Sequence, residues 1–230
     1  MKLYSLSTPS HEILKKEWFL ATLRDPYEVI FESYGQECLS GEYKSEGWKN
    51  MMSKKVDLVL HAIRENWGTV FIYSDVDVQF FARLSEPLLK LVQSDIDMLI
   101  QRDSPQGTLC AGFFVCRGNS KTLALWEDIK KSLELRNDEN LDDQDFLNKQ
   151  LIRKTFMGFR PWIGNSCKIK WRFLPNEFFN GGTLTGKQWS PGMSLLLPKK
   201  IVLHHANWTV GVENKIKQLQ YVKDAVNGWK

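Results

Sequence analysis

The five residues from Thr69 to Tyr73 all carry apolar, aromatic or β-branched side chains. A short and nearly continuous apolar run of this kind is typical of a strand that is buried on both faces, as in the middle of a parallel sheet. The sequence Ser-Asp-Val-Asp follows directly at 74–77. In open sheets of parallel strands, ligands bind beyond the carboxyl ends of the strands. The segment therefore predicts a layered α/β fold and places a candidate site just after Tyr73.

Strand and helix patterns alternate through the first half of the chain, and the second half is more mixed. The predicted strands cover Leu3–Leu6, Tyr27–Phe31, Thr69–Tyr73, Met98–Ile100, Leu109–Cys116 and Ile201–His204. The predicted helices cover His11–Leu23, Trp48–Trp67, Pro87–Val92, Lys121–Leu135, Leu141–Phe156 and Val212–Val226. No linker rich in Pro, Gly and Ser divides the chain. This order predicts a single domain over 1–230, in which helices cover both faces of a mainly parallel, mixed sheet.

Composition limits the classes of function. Hydrophobic residues make up 43% of the 230 residues and charged residues 25%, which indicates a globular chain and excludes wholesale disorder. The formal net charge of +4 is too small to indicate a nucleic-acid partner, although it suits an anionic small molecule. No run approaches the ~18 apolar residues of a membrane span, and no long apolar segment follows the N-terminal lysine. We therefore expect no membrane span, no signal peptide and a cytoplasmic protein.

Asp75 and Asp77 are separated by one residue at the end of the predicted core strand. Alternation along an extended chain places both carboxylates on one side, close enough to share a divalent cation and to face an anionic ligand. An Asp pair at this spacing also occurs by chance in solvated turns. Its position behind a core strand favours a metal site, because such folds bind ligands there.

A second apolar strand delivers polar residues near the C-terminus, where it leads into His204 and His205. A neutral imidazole is a good ligand for Mn²⁺ and a poorer one for Mg²⁺, which prefers oxygen. A histidine at a strand end is also often structural, with its ring hydrogen-bonded in the core. Lys215 lies one turn into the last predicted helix, where its ammonium group could bind a phosphate or simply be solvated.

Polar residues crowd the start of the helix predicted for Leu141–Phe156, where Asp142, Asp143, Gln144 and Asp145 follow one another. Acidic residues in a first turn interact favourably with the helix macrodipole, which explains one or two of them. The macrodipole does not explain all four of these residues. The remaining members are therefore candidates for chemistry.

Together these segments resemble the nucleotide-diphospho-sugar transferase family of glycosyltransferases, which has the GT-A fold. The segments that carry the resemblance occur in family order and span about residues 1–220. They are Ser74-Asp75-Val76-Asp77, similar to a DxD motif; Cys110–Val115, similar to an N-x-G-F strand; Asp143-Gln144-Asp145 with Asn148; Leu174-Pro175 with Phe179 and Gly181; and His205-Ala206-Asn207-Trp208 with Gly211 and Lys215. The resemblance implies a GT-A-like three-layer fold, with a nucleotide-binding half at about 1–105 and a half for donor sugar and acceptor at about 106–230.

The resemblance also implies a bound metal ion, Mn²⁺ or Mg²⁺. Asp77 would bind the ion directly, and Asp75 would bind either the ion or hydroxyl groups of the ribose and sugar. His205 would supply the third protein ligand. The neighbouring His204 leaves an ambiguity of one residue, which the spacing to the later motif residues resolves in favour of His205.

The cofactor implied is a nucleoside-diphosphate sugar, which acts as the donor substrate. The residues that the resemblance places around the donor are Leu6, Ser7, Thr8, Lys55, Ser74, Asp75, Val76, Gly112, Gly211 and Lys215. Lys215 would hold the diphosphate, and Gly112 would lie along the donor sugar. Asp143, Gln144 and Asp145 are the candidate catalytic residues near the reacting sugar carbon. Cys110 stands where the family more often has Asn, so a hydrogen bond to the sugar would be lost or altered.

The implied activity is metal-dependent transfer of a sugar to an acceptor hydroxyl of a glycan or glycoprotein. Negative charge grows on the leaving diphosphate, and a metal ion with a lysine would stabilise that charge in the transition state. Inversion at the sugar carbon requires a carboxylate base, for which Asp143 and Asp145 are candidates. Retention lets the diphosphate take the acceptor proton, and the resemblance favours retention.

Two other functions compete with this interpretation. A sugar-phosphate nucleotidyltransferase shares the layout and the metal carboxylates, but it usually carries a glycine-rich loop after the first strand, and the loop at Ser5–Ser10 contains no glycine. A carbohydrate-binding protein without activity would suit the nine tryptophans. That function would leave the Asp pair and the late histidine without a purpose.

Overall fold

The computed structural model describes residues 1–36, 46–92, 95–135, 141–155, 158–161 and 167–228. Its strands are β1 (Lys2–Ser7), β2 (Glu28–Ser33), β3 (Val70–Ser74), β4 (Val78–Phe80), β5 (Met98–Arg102), β6 (Leu109–Arg117), β7 (Ile152–Thr155), β8 (Gly158–Pro161), β9 (Trp171–Phe173), β10 (Phe178–Asn180) and β11 (Leu203–His205). Its α-helices are α1 (Trp48–Glu65), α2 (Ser85–Leu91), α3 (Ser120–Leu135), α4 (Asp143–Leu151) and α5 (Val212–Asn227). A 3₁₀ turn at Pro9–His11 and a π-helix at Leu14–Leu20 follow β1. Each strand predicted from the sequence is present with slightly shifted bounds.

The central sheet has six strands in the order β2-β1-β3-β6-β5-β9. The pairs β1–β2, β1–β3 and β5–β9 are parallel, whereas β6 runs antiparallel to both of its neighbours. One strand of this sheet, β6, is reversed, so the sheet is mixed but mainly parallel. The predicted α/β fold class is confirmed.

Two hydrophobic clusters cover the two faces of this sheet. Phe71 and Tyr73 of β3 belong to the cluster that packs against α1, α3 and α4. Ile72, between them, belongs to the cluster that contains residues of the π-helix and α5, such as Phe19 and Leu219. All three β3 side chains are fully buried, and burial of a side chain this large contributes roughly 1.5–3 kcal/mol to folding. The fold therefore has three layers, which are the helices α1, α3 and α4, the central sheet, and a second layer that includes the π-helix and α5. β3 is buried on both faces, as predicted.

A second, three-stranded sheet has the order β10-β11-β4. β4 begins directly after Asp77, so the chain turns out of the central sheet at 75–77. β11 pairs antiparallel with β4 and parallel with β10. The last predicted strand thus lies outside the central sheet. It approaches the Asp pair because it lies alongside β4, and not as another parallel strand of the central sheet.

The helices agree with the sequence patterns except in one segment. The helix predicted for Leu141–Phe156 ends at Leu151, because the chain then forms β7, which pairs antiparallel with β8. Phe156 itself lies outside the described residues. Over the described part of the chain, no helix combines the length and the apolar character needed to cross a bilayer.

Candidate active site

A cavity of about 500 Å³ opens at the carboxyl ends of β1 and β3. The predicted site residues that line it are Leu6, Ser7, Thr8, Lys55, Asp75, Val76, Asp77, Gly112, Asp143, Gln144, His205, Gly211 and Lys215. Ser74 and Asp145 are not among its lining residues. The Ser74 hydroxyl donates to the backbone oxygen of Asp75 at 2.9 Å. The structure therefore brings nearly all of the predicted positions to one cavity.

Asp75, Asp77 and His205 form a compact cluster in the cavity wall, with one ligand atom of each within 4.8 Å of the others. His205 Nε2 lies 3.2 Å from Asp77 Oδ1 and 3.9 Å from Asp75 Oδ2. The backbone fixes this arrangement, because Ala206 donates its N–H to the Asp77 carbonyl at 2.9 Å. His205 is also the cross-strand partner of Val78 in the β4–β11 pair. The cluster is thus built by the antiparallel pairing of two short strands.

Gly112 leaves the space that the cluster occupies. A Cβ atom at this position would lie 2.2 Å from His205 Cε1 and 2.6 Å from Asp75 Oδ2. The backbone oxygen of Gly112 accepts the N–H of Asp75 at 2.7 Å, which holds β6 close to the Asp pair. Any larger residue would therefore displace the imidazole or the carboxylate.

The cluster has the donor set of a divalent cation site. Two carboxylates and an imidazole on one cavity wall match the oxygen and nitrogen ligands that Mn²⁺ accepts, while Mg²⁺ would use the carboxylates more than the imidazole. Because Gly112 has no side chain, the His205 ring and the Asp75 carboxylate have room to lie side by side. The residues present therefore fit the metal ion that the resemblance implies.

Charges around the cluster shift its pKa values. Burial alone would raise the pKa of Asp77, but the positive charges of Lys215 and His205 hold it well below its usual value. Burial alone would lower the pKa of His205, but the Asp77 carboxylate raises it to about 10. Lys215 of α5 forms an ion pair with Asp77 Oδ2. Asp77 is therefore held as a carboxylate between two cationic groups.

Lys55 of α1 connects this cluster to the start of α4. Its side chain is 5% exposed, and its ammonium group lies 3.0 Å from Asp143 Oδ2 and 3.5 Å from Asp75 Oδ1. The Tyr73 hydroxyl also donates to Asp75 Oδ1, at 2.8 Å. Burial would lower the pKa of Lys55, but the two carboxylates raise it above its ordinary value. Lys55 is thus a buried, charged bridge between the Asp pair and Asp143.

The first turn of α4 is tied to the cavity wall and to itself. Asp142 is the N-cap residue, and its carboxylate accepts the N–H of Asp145 at 2.9 Å. The Asp145 carboxylate accepts the N–H of Asp142 in return, at 3.2 Å, which completes a capping box. Gln144 Oε1 accepts the N–H of Ala111 in β6 at 3.0 Å. The Asp145 side chain therefore caps the helix, while Asp142 and Asp143 line the cavity.

Burial and the neighbouring charge of Asp143 raise the pKa of Asp142 to about 7. Burial also raises the pKa of Asp143, against the opposing charge of Lys55. The two adjacent acids therefore share a site in which full ionisation of both is unfavourable.

Several lining residues were missed by the sequence analysis. They are His11, Gln36, Trp48, Met51, Met52, Asp103, Gln188, Thr209 and Val210. Asp103 directly follows β5, so the rule that ligands bind at the carboxyl ends of strands could have found it. Trp48, Met51 and Met52 read as the apolar face of an ordinary amphipathic helix, and nothing local distinguishes them from core residues.

Trp208 has a left-handed backbone, with φ of 55°. Its indole N–H donates to Asp103 Oδ1 at 2.9 Å, and the Asn207 amide donates to the same oxygen at 3.1 Å. The ring packs over Gly182, where a Cβ atom would lie 2.2 Å from Trp208 Nε1. A non-glycine residue in this conformation costs about 1–3 kcal/mol and persists only where its surroundings hold it. Trp208 is therefore a fixed part of the cavity wall.

Comparison with known sequences gives relatives among sugar transferases. The model of a family described as nucleotide-diphospho-sugar transferase matches residues 11–219. A UDP-galactose:fucoside alpha-3-galactosyltransferase of Dictyostelium discoideum is 23% identical over 150 residues, covering 61% of this chain and 23% of that protein. An uncharacterized protein of Arabidopsis thaliana is 28% identical over 197 residues, covering 84% of this chain and 51% of that protein. The chain therefore spans about half or less of the length of these curated relatives.

Solved structures with similar folds include a glycosyltransferase involved in the glycosylation of the major capsid of PBCV-1, with a TM-score of 0.59 and 13% identity. That match covers 96% of this chain and 98% of the other. The apo structure of the bifunctional glycosyltransferase WbbM has a TM-score of 0.54 and 11% identity, covering 95% of this chain and 49% of that one. The similarity to these glycosyltransferases confirms the predicted GT-A-like fold. Since the family model covers most of its length, the chain belongs to the nucleotide-diphospho-sugar transferase family, as its ordered motifs predicted.

Proposed function

We propose that the chain transfers a sugar from a nucleoside-diphosphate sugar to an acceptor hydroxyl, with the help of a divalent metal ion. The observation that carries the proposal is the convergence of Asp75, Asp77 and His205 beside Lys215 in one cavity. A nucleoside diphosphate is a strongly anionic leaving group, and catalysis of its departure requires positive charge placed where negative charge grows. In this cavity three possible metal ligands and a lysine lie side by side.

Asp75, Asp77 and His205 would hold the ion, and Mn²⁺ suits this donor set better than Mg²⁺. Bound there, the ion would supply Lewis-acid stabilisation of the departing diphosphate. Lys215 is paired with Asp77 and is partly exposed, so its ammonium group can turn toward a phosphate oxygen. The cluster and Lys215 would therefore neutralise the leaving group from two sides.

We assign one end of the cavity to the nucleotide of the donor and the other end to its sugar. This assignment keeps the expected division of the chain into two halves near residue 105. Leu6, Trp48 and Met51 form an apolar wall that suits a nucleoside base, and Ser7 and Thr8 border it with hydroxyl groups. These residues belong to the nucleotide-binding half at about 1–105. At the opposite end, polar groups of the second half, with Asp103 of the first, would surround the donor sugar.

We propose that the reaction retains the configuration of the sugar carbon. The Asp143 carboxylate is paired with Lys55, and the Asp142 carboxylate caps α4. Both of these acids, which line the cavity, therefore already have partners. The Asp145 carboxylate is engaged in the capping box. The acceptor proton would then pass to the leaving diphosphate. Measurement of the anomeric configuration of the product by NMR tests this point, and an inverted product would instead assign Asp142 or Asp143 as the base.

We propose a glycan or glycoprotein as the acceptor. Two similar proteins support this choice, since one is a UDP-galactose:fucoside galactosyltransferase and the other is involved in the glycosylation of the major capsid of PBCV-1. The chain's own cavity supports a sugar-sized acceptor, because Trp208 offers an aromatic face and Asp103 and Gln188 lie in the same wall.

The function is tested with a panel of nucleotide sugars, UDP-sugars first, incubated with and without Mn²⁺. We expect metal-dependent release of the nucleoside diphosphate, increased by acceptor glycans, and loss of release in Asp77→Asn. Formation of a nucleoside triphosphate from pyrophosphate would identify a nucleotidyltransferase instead. Glycan binding without turnover of any donor would identify a carbohydrate-binding protein and would overturn the proposal.

A further inference from the structure

We propose that Gln101 is a positioning residue that fixes which ring nitrogen of His205 faces the Asp pair, and thereby sets the metal affinity of the site. The inference deepens the proposed function and rests on it. Gln101 does not line the cavity, and no sequence motif marks it. Its place in the fold suggests the role, because it lies behind His205, between the central sheet and the strands of the smaller sheet.

The orientation of the Gln101 side-chain amide is determined by its two donor bonds. Gln101 is fully buried, and its Nε2 group donates to the backbone oxygens of Phe178 and Phe179, each at 3.0 Å. An amide nitrogen has two hydrogens, so these carbonyls use both. The amide oxygen must then point the other way, where it lies 3.1 Å from His205 Nδ1.

This orientation determines the hydrogen on the imidazole. Since Gln101 Oε1 can only accept, His205 Nδ1 must donate, and a ring nitrogen that donates carries the hydrogen. Nε2 is then the nitrogen that gives up its hydrogen when the ring binds a metal ion, and it is Nε2 that faces Asp75 and Asp77, at 3.9 and 3.2 Å. Hydrogen bonding at the outer nitrogen orients a metal-binding histidine and increases its basicity. Gln101 supplies that bond.

The backbone places Gln101 for this contact. The register of the β5–β6 pair shifts between Ile100 and Gln101, a bulge that redirects the side chains after it. Cys110 is the other neighbour of His205 Nδ1, with its sulfur at 3.6 Å. A thiol is a weak acceptor, and the amide oxygen is closer, so Gln101 is the stronger partner.

A matched control is present on β4, beside the neighbouring histidine His204. Gln79 of β4 is as deeply buried as Gln101, and its Nε2 group lies 3.1 Å from His204 Nδ1 and donates to the Leu219 carbonyl at 2.8 Å. It is a second glutamine beside a second histidine, yet it does not line the cavity. Gln79→Met therefore removes a buried hydrogen bond between a glutamine and a histidine without touching the residues of the proposed metal site.

The test titrates Mn²⁺ alone into the purified proteins by calorimetry. Gln101→Met keeps the length of the side chain and removes the acceptor, and we expect Mn²⁺ to bind about 10–100-fold more weakly. Gln101→Glu keeps an acceptor for Nδ1, so we expect it to restore affinity to within about tenfold of the unchanged protein. Gln79→Met should lower the melting temperature and leave the Mn²⁺ affinity unchanged.

A second measurement needs no substitution. In the unchanged protein loaded with diamagnetic Zn²⁺, long-range ¹⁵N–¹H NMR should show the His205 hydrogen on Nδ1. A hydrogen on Nε2 would overturn the inference even if Gln101→Met failed to fold. A folded Gln101→Met protein with unchanged Mn²⁺ affinity would overturn the role of Gln101 alone. Absence of Mn²⁺ binding by the unchanged protein would overturn the proposed metal site itself, and this inference with it.

Discussion

His204 and His205 are neighbours on β11, and their side chains lie on opposite sides of the small sheet. His205 lines the cavity with Asp75 and Asp77, whereas His204 is fully buried and stacks on Phe179 with ring centroids 5.4 Å apart. Burial lowers the pKa of His204 to about 3, helped by the charge of His205. The carboxylate of Asp77 overcomes the same burial at His205 and raises its pKa to about 10.

The two histidines show that burial alone does not decide the chemistry of a side chain. Both are nearly inaccessible, and each has a glutamine at its Nδ1 atom. The Gln79 amide offers a hydrogen to His204, and the Gln101 oxygen accepts one from His205. The carboxylates beside His205 make the remaining difference, since Asp77 Oδ1 lies 3.2 Å from its Nε2 and favours a cationic partner there, whereas burial dominates at His204. One side of β11 is therefore a candidate binding surface, and the other is core.

Among the changes to residues that line the cavity, Lys215→Met should have the largest effect on activity. Loss of the ammonium group removes charge stabilisation at the leaving diphosphate, and we expect turnover of the donor to fall about 10²–10³-fold. Lys217→Met on the exposed face of the same helix is the control and should keep its turnover. Steady-state kinetics measure both variants. A large fall in the melting temperature of Lys215→Met without a change in kcat would assign the lysine to stability instead.

Exchanging each histidine for glutamine tests the comparison directly. His205→Gln removes the imidazole ligand itself. Loss of a group that only supports a ligand weakens metal binding by ~10–100-fold, so we expect Mn²⁺ affinity to fall by at least that factor. His204→Gln should leave Mn²⁺ affinity unchanged and cost about 1–3 kcal/mol of stability, because a buried group loses its packing and its hydrogen bond. Calorimetry and urea unfolding give the two quantities. Equal losses of Mn²⁺ affinity in both variants would contradict the assignment of His205 to the cavity and of His204 to the core.

Gly112→Ala should disturb the cavity side alone. The added Cβ would lie within 2.2 Å of the His205 ring, so the ring or the Asp75 carboxylate must shift. We expect about a tenfold loss of Mn²⁺ affinity, at the lower end of the range for displaced ligands. Gly35→Ala is the control, since no atom of the residues that the structure describes lies within 4 Å of its added Cβ. Unchanged Mn²⁺ binding in Gly112→Ala would show that the cluster does not depend on this gap.

The smallest effect expected is a dependence of stability on pH. His204 has a folded pKa of about 3, below the unfolded value of 6.5, so its contribution is fully present above pH 6.5 and is lost as pH falls toward 3. His205 has a folded pKa of about 10, so in the metal-free protein its contribution is present below pH 6.5 and is lost as pH rises toward 10.

Each histidine can change the unfolding free energy by up to about 1.4 kcal/mol per pH unit within its window. Urea unfolding across pH, with a chelator present, should show a flatter acid limb in His204→Gln and a flatter alkaline limb in His205→Gln. An acid limb that is unchanged in His204→Gln would mean that His204 is not the group that titrates there.

Much of the site was predictable because its signals are local. The core strand and its Asp pair are contiguous, so alternation and position alone predicted a cation site at the end of β3. The choice of His205 over His204 came from the spacing of a family motif, and the structure places His205 in the cavity as that choice requires. β11 brings His205 to the Asp pair through antiparallel pairing with β4 in a separate sheet, an arrangement that the sequence analysis did not predict.

The sequence by itself determined the α/β class, the strand that carries Asp75 and Asp77, and the family, because each depends on short contiguous segments and their order along the chain. Only the tertiary structure decided what each polar group contacts. Lys55 became a buried bridge between two acids, Asp145 became part of a helix cap, and Gln101 came to lie against His205 across 104 positions of sequence. Contacts of this kind depend on how sheets and helices pack, and packing leaves no pattern in the spacing of the residues that it brings together.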